Sequence, residues 1–173
     1  GIKGYTQVNP DSIEIIRGPY GVPHIYAATD VEVAYGFAWA QAEDHFKLIQ
    51  EAYIAGNGIL SKHIGLKGAG ADFLVQFIQA EKTVDAQFHT LDKKFIALLE
   101  GFAQGLNAFA KKHPKEILKN ELFPLTPKKL LRYTQLQLFI SNGADKLVKG
   151  IVNNELSWPY AIEQDTKGSN LLA

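Results

Sequence analysis

An α+β chain, mostly helical with a β-hairpin near its N-terminal end, is what the sequence predicts, and three observations carry that prediction. Residues 12–27 are two β-branched runs around Gly18-Pro19-Tyr20-Gly21. Three later stretches, about 31–55, 91–112 and 127–142, repeat apolar residues at helical spacing. Two strands do not make a self-sufficient sheet, so the hairpin is expected to join strands from elsewhere. The chain of 173 residues then reads as a single piece of a larger domain.

The hairpin pairs Ser12-Ile13-Glu14-Ile15-Ile16-Arg17 with Val22-Pro23-His24-Ile25-Tyr26-Ala27. Between them Pro19 presets φ, and the flanking glycines suit a tight turn. Pro23 cannot donate to a ladder and marks a strand start or an edge. His24 reads as a hydrogen-bonded structural residue, because no nearby Ser or Asp completes a catalytic constellation.

Asp30 is expected to cap the long helix, whose face is Val31, Ala34, Tyr35, Ala38, Ala42, Phe46, Ile49 and Tyr53. A mid-helix glycine costs up to about 1 kcal/mol, so Gly36 needs a packing reason. Glu43, Asp44 and His45 are adjacent, but neighbouring helical residues point apart and no second His stands at i+4, which argues against a metal site. Gly56-Asn57-Gly58 ends the helix. Residues 59–89 are less regular: an amphipathic piece from Ile59 to Ile64, a loop over Gly65–Gly70, then a helical turn or two at Phe73, Leu74, Phe77 and Ile78. The loop's glycines do not make a dinucleotide fingerprint, since no strand leads into them. Thr90 is expected to cap the third helix, with Phe95, Leu98, Leu99, Phe102, Leu106 and Phe109 on one face and Pro114 closing it. Thr126-Pro127 is an N-cap followed by proline at the first helical position. That helix runs to about Asn142, Gly143 bends or breaks it, and a helical stretch continues to about residue 155 before a connector and tail over 156–173.

Composition narrows the function classes. The 18 basic and 18 acidic residues cancel, leaving no surplus for nucleic acid. The absence of cysteine removes disulfides, thiol catalysis and Cys-based zinc sites. No apolar run reaches the roughly 18 residues of a membrane span, and no cofactor or metal motif is present. The start at Gly1 without methionine points to a leader already removed. The tail Gly168-Ser169-Asn170 reads in two ways, as a plain turn or as a self-cleavage site in which the Ser169 hydroxyl attacks the carbonyl before it.

Four stretches favour the second reading. Arg17-Gly18-Pro19-Tyr20-Gly21-Val22-Pro23-His24-Ile25 resembles the opening of the penicillin acylase family, and Tyr35-Gly36-Phe37-Ala38-Trp39-Ala40-Gln41-Ala42-Glu43-Asp44 resembles its second signature. Leu98-Leu99-Glu100-Gly101-Phe102-Ala103-Gln104-Gly105-Leu106-Asn107 resembles the third, and Gly168-Ser169-Asn170-Leu171-Leu172-Ala173 resembles the processing site. Leu130-Leu131-Arg132-Tyr133 and the Leu-Glu-Gly-Phe run look more like aculeacin-type and acyl-homoserine-lactone acylases than penicillin G acylases. The sequence departs from the family at Gly18-Pro19, where Asp-x is usual, and at His45, where many members carry Arg.

The resemblance implies an N-terminal-nucleophile hydrolase of αββα sandwich architecture, cut between Gly168 and Ser169 into a smaller α chain and a larger β chain. A cut there ends a mature α chain at Gly168, short of the Ala173 at which this sequence stops. Ser169 is then the implied catalytic nucleophile, Gly143 and Leu147 the implied substrate-binding positions, and a linear N-acyl amide with a long aliphatic acyl group the implied substrate. No cofactor, metal, nucleic acid or membrane partner is implied, and a periplasmic or secreted location is. Three alternatives stand beside it: an acylase of aromatic or short acyl specificity, a non-catalytic helical interaction module, and a family member that has lost catalysis.

Overall fold

The structure, a computed structural model, describes residues 7–142. The sequence-based expectations for Gly143, Leu147, the helical stretch to 155, the connector, Gly168 and Ser169 lie outside the described residues. Within them the order is β1 (Glu14–Arg17), β2 (Pro23–Tyr26), α1 (Asp30–Gly56), α2 (Ser61–Ile64), α3 (Ala69–Phe77), α4 (Ala80–Gln87), α5 (Lys93–Lys112) and α6 (Pro127–Ser141). The described residues are mostly helical with one small antiparallel sheet.

β1 and β2 pair with Ile15 opposite Ile25 and Ile16 opposite His24. The turn closes where Gly18 N–H donates to Val22 O at 3.0 Å and Gly21 N–H to Gly18 O at 2.9 Å. Gly21 supplies the φ of +77° that this turn needs. Alternation sends Ile13, Ile15 and Ile25 toward α1, and leaves Ile16, His24 and Tyr26 exposed on the outer face. His24 is therefore not the hydrogen-bonded structural residue expected of it, because it lies on the face that no described element covers.

Gly36 has the packing reason its cost demands. A Cβ there would meet Ile25 Cγ2 at 2.7 Å and Ile13 Cγ2 at 2.9 Å, so the missing side chain lets the hairpin lie directly on α1. The residue that caps α1 is Thr29 rather than Asp30. Thr29 Oγ1 accepts from Glu32 N, and the Glu32 carboxylate accepts from Thr29 N at 3.0 Å, a reciprocal capping box. Asp30 occupies the first helical position instead.

The 59–89 region corrects the sequence reading most. The glycine-rich run is not a loop: a 3-10 turn over Gly65–Gly68 leads into α3, and α4 follows where no regular element was expected. Its organiser is Asp72, a buried carboxylate that accepts from Leu60 N at 2.7 Å, Ser61 N at 2.8 Å and Ser61 Oγ at 2.5 Å. Gly68 sits against the Leu60 carbonyl carbon, 2.5 Å from where a Cβ would be, so its glycine serves close approach. The cap of α5 also moves: Asp92 Oδ1 accepts from Lys94 N at 2.8 Å and Phe95 N at 3.2 Å, while Thr90 Oγ1 donates back to Gln87 O.

α1 is the central beam, with α5 along its first half and α3 and α6 on its second. On α5, Gly101 and Gly105 face the Val31 and Tyr35 carbonyls of α1, leaving no room for a Cβ at either. At the other end, Gly56 admits the Tyr133 backbone of α6 at 2.5 Å from the position of a Cβ. Ile54, Leu60, Leu74, Leu106 and Leu122 are fully buried between these helices. Among the described residues no helix is long and apolar enough to cross a membrane.

Candidate functional site

The three described stretches that carry the resemblance converge on the first half of α1, and one side chain ties two of them together. Arg17, the last residue of β1, donates from Nη2 to Glu43 Oε2 at 2.9 Å and to Ala40 O at 3.1 Å. Its Nη1 donates to Asp44 Oδ2 at 3.1 Å and Gly21 O at 2.9 Å. The two carboxylates, Glu43 foremost, push the Arg17 pKa above its usual value. Glu43 and Asp44 are thus partners of a strand arginine, and no group of three potential metal ligands occurs among the described residues. The next residue, His45, has φ −142° and ψ 32°, so α1 kinks there. The Ala40 carbonyl that accepts from Arg17 lies one turn before this kink. Trp39 Nε1 donates to the other Glu43 oxygen at 3.0 Å, and its ring packs edge-on at 5.2 Å against Phe109, two residues past the third stretch on α5.

The second half of the molecule aims α6, the helix that leads to Gly143. Asn107, the last residue of the third stretch, exchanges two hydrogen bonds with Leu125 at 2.9 and 2.7 Å. Thr126 Oγ1 then accepts from Lys129 N, capping α6 as its sequence predicts. Lys129 Nζ donates to the carbonyls of Leu122 at 2.7 Å, Pro124 at 3.0 Å and Glu121 at 3.3 Å, which uses all three of its protons on the loop before the helix. Burial lowers its pKa, with a smaller push from Arg132. Tyr53 of α1 meets Tyr133 edge-on at 5.4 Å, and burial first, then Tyr133, pushes the Tyr53 hydroxyl up to about 12. The entry angle of α6 is fixed at its N-terminus and mid-length, while Leu138 on its last turns is exposed.

A cleft of about 880 Å³ lies between α3, α4 and α6, lined among others by Asn57, Gln79, Glu81, Asp85 and Arg132. Both of its carboxylates are paired, Glu81 with Arg132 Nη2 at 2.8 Å and Asp85 with Lys128 Nζ at 2.7 Å, while Lys82 on its lining makes no ion pair among the described residues. The Lys128 ammonium lowers the Asp85 pKa. These are stabilising pairs rather than an acid–base couple.

The structure therefore describes the hairpin and helices that carry three of the four stretches. Ser169, Gly168, Gly143 and Leu147 fall beyond it. Arg17, Asn107 and Lys129 carry structural roles that the sequence reading did not single out. An arginine ending a strand and an acidic pair in the following helix were the available signal for the first.

Comparison with known proteins follows this geometry. Penicillin G acylase of Escherichia coli is 26% identical over 150 residues, 84% of this chain and 18% of that protein. Acyl-homoserine lactone acylase PvdQ of Pseudomonas putida is 25% identical over 165 residues, 87% of this chain and 21% of that protein. The chain thus spans about a fifth of the length of these relatives. A thermostable penicillin G acylase structure from Alcaligenes faecalis superposes with a TM-score of 0.62 at 22% identity, covering 74% of this chain and 72% of that one, and so shares the fold. The penicillin amidase profile matches residues 12–162, most of the sequence, and by that match this chain belongs to the penicillin amidase family.

Proposed function

We propose that this chain is the smaller subunit of an N-terminal-nucleophile acylase that hydrolyses linear N-acyl amides carrying a long aliphatic acyl group. The observation that supports it is family membership over residues 12–162, with relatives that act on penicillin G and on acyl-homoserine lactones. A larger chain from the same precursor completes the αββα sandwich, taking the exposed outer face of the hairpin into its interior. Export to the periplasm or medium belongs to the same reading.

In this proposal Ser169 attacks the carbonyl of Gly168, and the resulting ester hydrolyses to free the serine as a new N-terminus. A serine hydroxyl needs a base, and its own α-amino group has a reference pKa of about 7.7–8.0, close to neutral operating pH. Ser169 Oγ attacks the substrate carbonyl as its proton passes to that amine. The tetrahedral oxyanion, held by donors of the larger chain, collapses and expels the substrate amine, which takes the proton. Water then hydrolyses the acyl-serine ester. Gly143 and Leu147 line the acyl pocket, and glycine at the first of these positions leaves it deep.

The test is Ser169→Ala in the full-length precursor, read by intact mass and by turnover of acyl amides. The expected result is an uncut, inactive polypeptide, and normal processing would move the nucleophile elsewhere. A second reading, aromatic or short acyl specificity, is favoured by the identity to penicillin G acylase, which is as high as that to PvdQ.

A further inference from the structure

α3 carries apolar side chains on two sides. Its inner side, Ala71, Leu74 and Val75, is buried against α1, and Asp72 holds the chain of α2. Its outer side shows Phe73 at 50% and Phe77 at 54% exposure, with the two rings stacked at 6.1 Å. The backbone entering α3 stays right-handed, with Gly68 at φ −83°, ψ −13° and Ala69 at φ −62°, ψ −31°. Leu66, 82% exposed, sits in the 3-10 turn that feeds α3, seven residues before Phe73 and eleven before Phe77. A helix that is apolar all round belongs in an interior. This stripe is separate from the hairpin's outer face: the hairpin lies on the first half of α1, and α3 packs beside the second.

We propose that the stripe Leu66, Phe73 and Phe77 is a docking surface for the larger remainder of the same polypeptide, whose complementary site is an uncharged apolar groove. The proposal rests on the two-chain reading above. Two observations choose this occupant. The relatives are about five times the length of this chain, so most of the protein lies outside it. A membrane surface would call for a basic rim, yet of the lysines near Leu66 in sequence Lys62 is paired with Glu121 at 3.1 Å, which leaves Lys67 as a single cation unpaired among the described residues, and the chain's 18 basic residues are matched by 18 acidic ones. The recognition mode is a helix in a groove, read through anchors one and two turns apart.

The experiment uses the two-chain protein as purified, with Phe73 replaced by p-benzoylphenylalanine and, as a control, the same residue at exposed Lys47 on α1. On illumination, position 73 should cross-link to the larger chain at least about five times more than position 47. The double variant Phe73→Ser/Phe77→Ser should weaken association of the chains at least tenfold, while Phe73→Leu/Phe77→Leu should restore most of it. Intact mass showing both chains with no excess cross-link at 73 overturns this proposal and leaves the two-chain reading standing. Intact mass showing this chain alone overturns both. Cross-links joining two copies of this chain, or stripe-dependent sedimentation with phosphatidylglycerol vesicles in their place, assign the surface to another occupant and overturn it as well.

Discussion

Replacing Gly101 by alanine tests whether the contact between α1 and α5 is as close as the structure makes it. In an exposed helix the change would stabilise, since alanine is favoured over glycine by up to about 1 kcal/mol. Here the added methyl runs into the Val31 carbonyl oxygen and lies 2.9 Å from Val31 Cγ1. The obstacle is backbone inside a helix, so α1 as a whole must move. Overpacking costs about 1–3 kcal/mol, a clash with helix backbone falls in the upper part of that range, and after the propensity gain the net expectation is a loss of roughly 1–2 kcal/mol. Gly36→Ala is the matched control, because its methyl would meet only the side-chain ends Ile25 Cγ2 at 2.7 Å and Ile13 Cγ2 at 2.9 Å. Rotating an isoleucine off its rotamer costs about 0.5–1.5 kcal/mol, which the helix-propensity gain nearly offsets. Amide hydrogen exchange in the assembled protein reads both variants locally. Peptides from 31–44 and 95–110 should lose protection by about five- to thirtyfold in Gly101→Ala, at roughly 1.4 kcal/mol per factor of ten, and by less than about threefold in Gly36→Ala. Protection in Gly101→Ala at or above wild type would refute the close approach of the two helices.

Three further outcomes are expected. Gly143→Phe should shift acyl preference toward shorter chains, with each lost methylene contact worth about 0.8 kcal/mol; kcat/KM from butanoyl to dodecanoyl amides measures it, and an unchanged profile rejects the pocket assignment. Tyr53, whose hydroxyl is raised from 10.0 to about 12, should stabilise the fold fully below pH 10 and lose that contribution as pH rises toward 12, because the unfolded phenol ionises first; ultraviolet difference titration of wild type against Tyr53→Phe shows it, and a Tyr53 midpoint near 10 contradicts the burial argument. The chain expressed alone should aggregate or stay molten, since the hairpin's outer face and the α3 stripe are both uncovered; a cooperative thermal transition from it would contradict that.

How much was legible in the sequence depended on whether a residue's role was local. The three long helices follow from their own apolar spacing, and Thr126-Pro127 marks the start of α6 because cap and proline act within one turn. The two misplaced caps are also local, and they show which cue outranks which. Thr29 wins over Asp30 because Glu32 stands three residues on to complete the box, and Asp92 wins over Thr90 because Thr90 turns back to Gln87. The glycines of 65–70 misled for a different reason. A glycine needed for φ and a glycine needed for close approach look identical in sequence, and only the Leu60 backbone lying against Gly68 distinguishes them. The Arg17 clamp left only a weak signal because its partners lie 26 and 27 residues away, in a second motif read separately. Of the expected site, the described residues show how α6 is held as far as Ser141, and Gly143, Leu147, Gly168 and Ser169 lie outside them.

The joint at His45 has a consequence for how such a chain can vary. A straight helix of 27 residues transmits any insertion along its whole length, turning everything beyond it by about 100° per residue. Broken at His45, α1 behaves as two short rods whose rotational phases are set separately, one by the Arg17 fork and the Gly36 seat, the other by Gly56 and Tyr53 against α6. Rotation or lengthening of the second rod would re-aim α6, and with it whatever lies past Asn142, without disturbing the strands. The seat of the strands and the aim of α6 can then drift independently along α1.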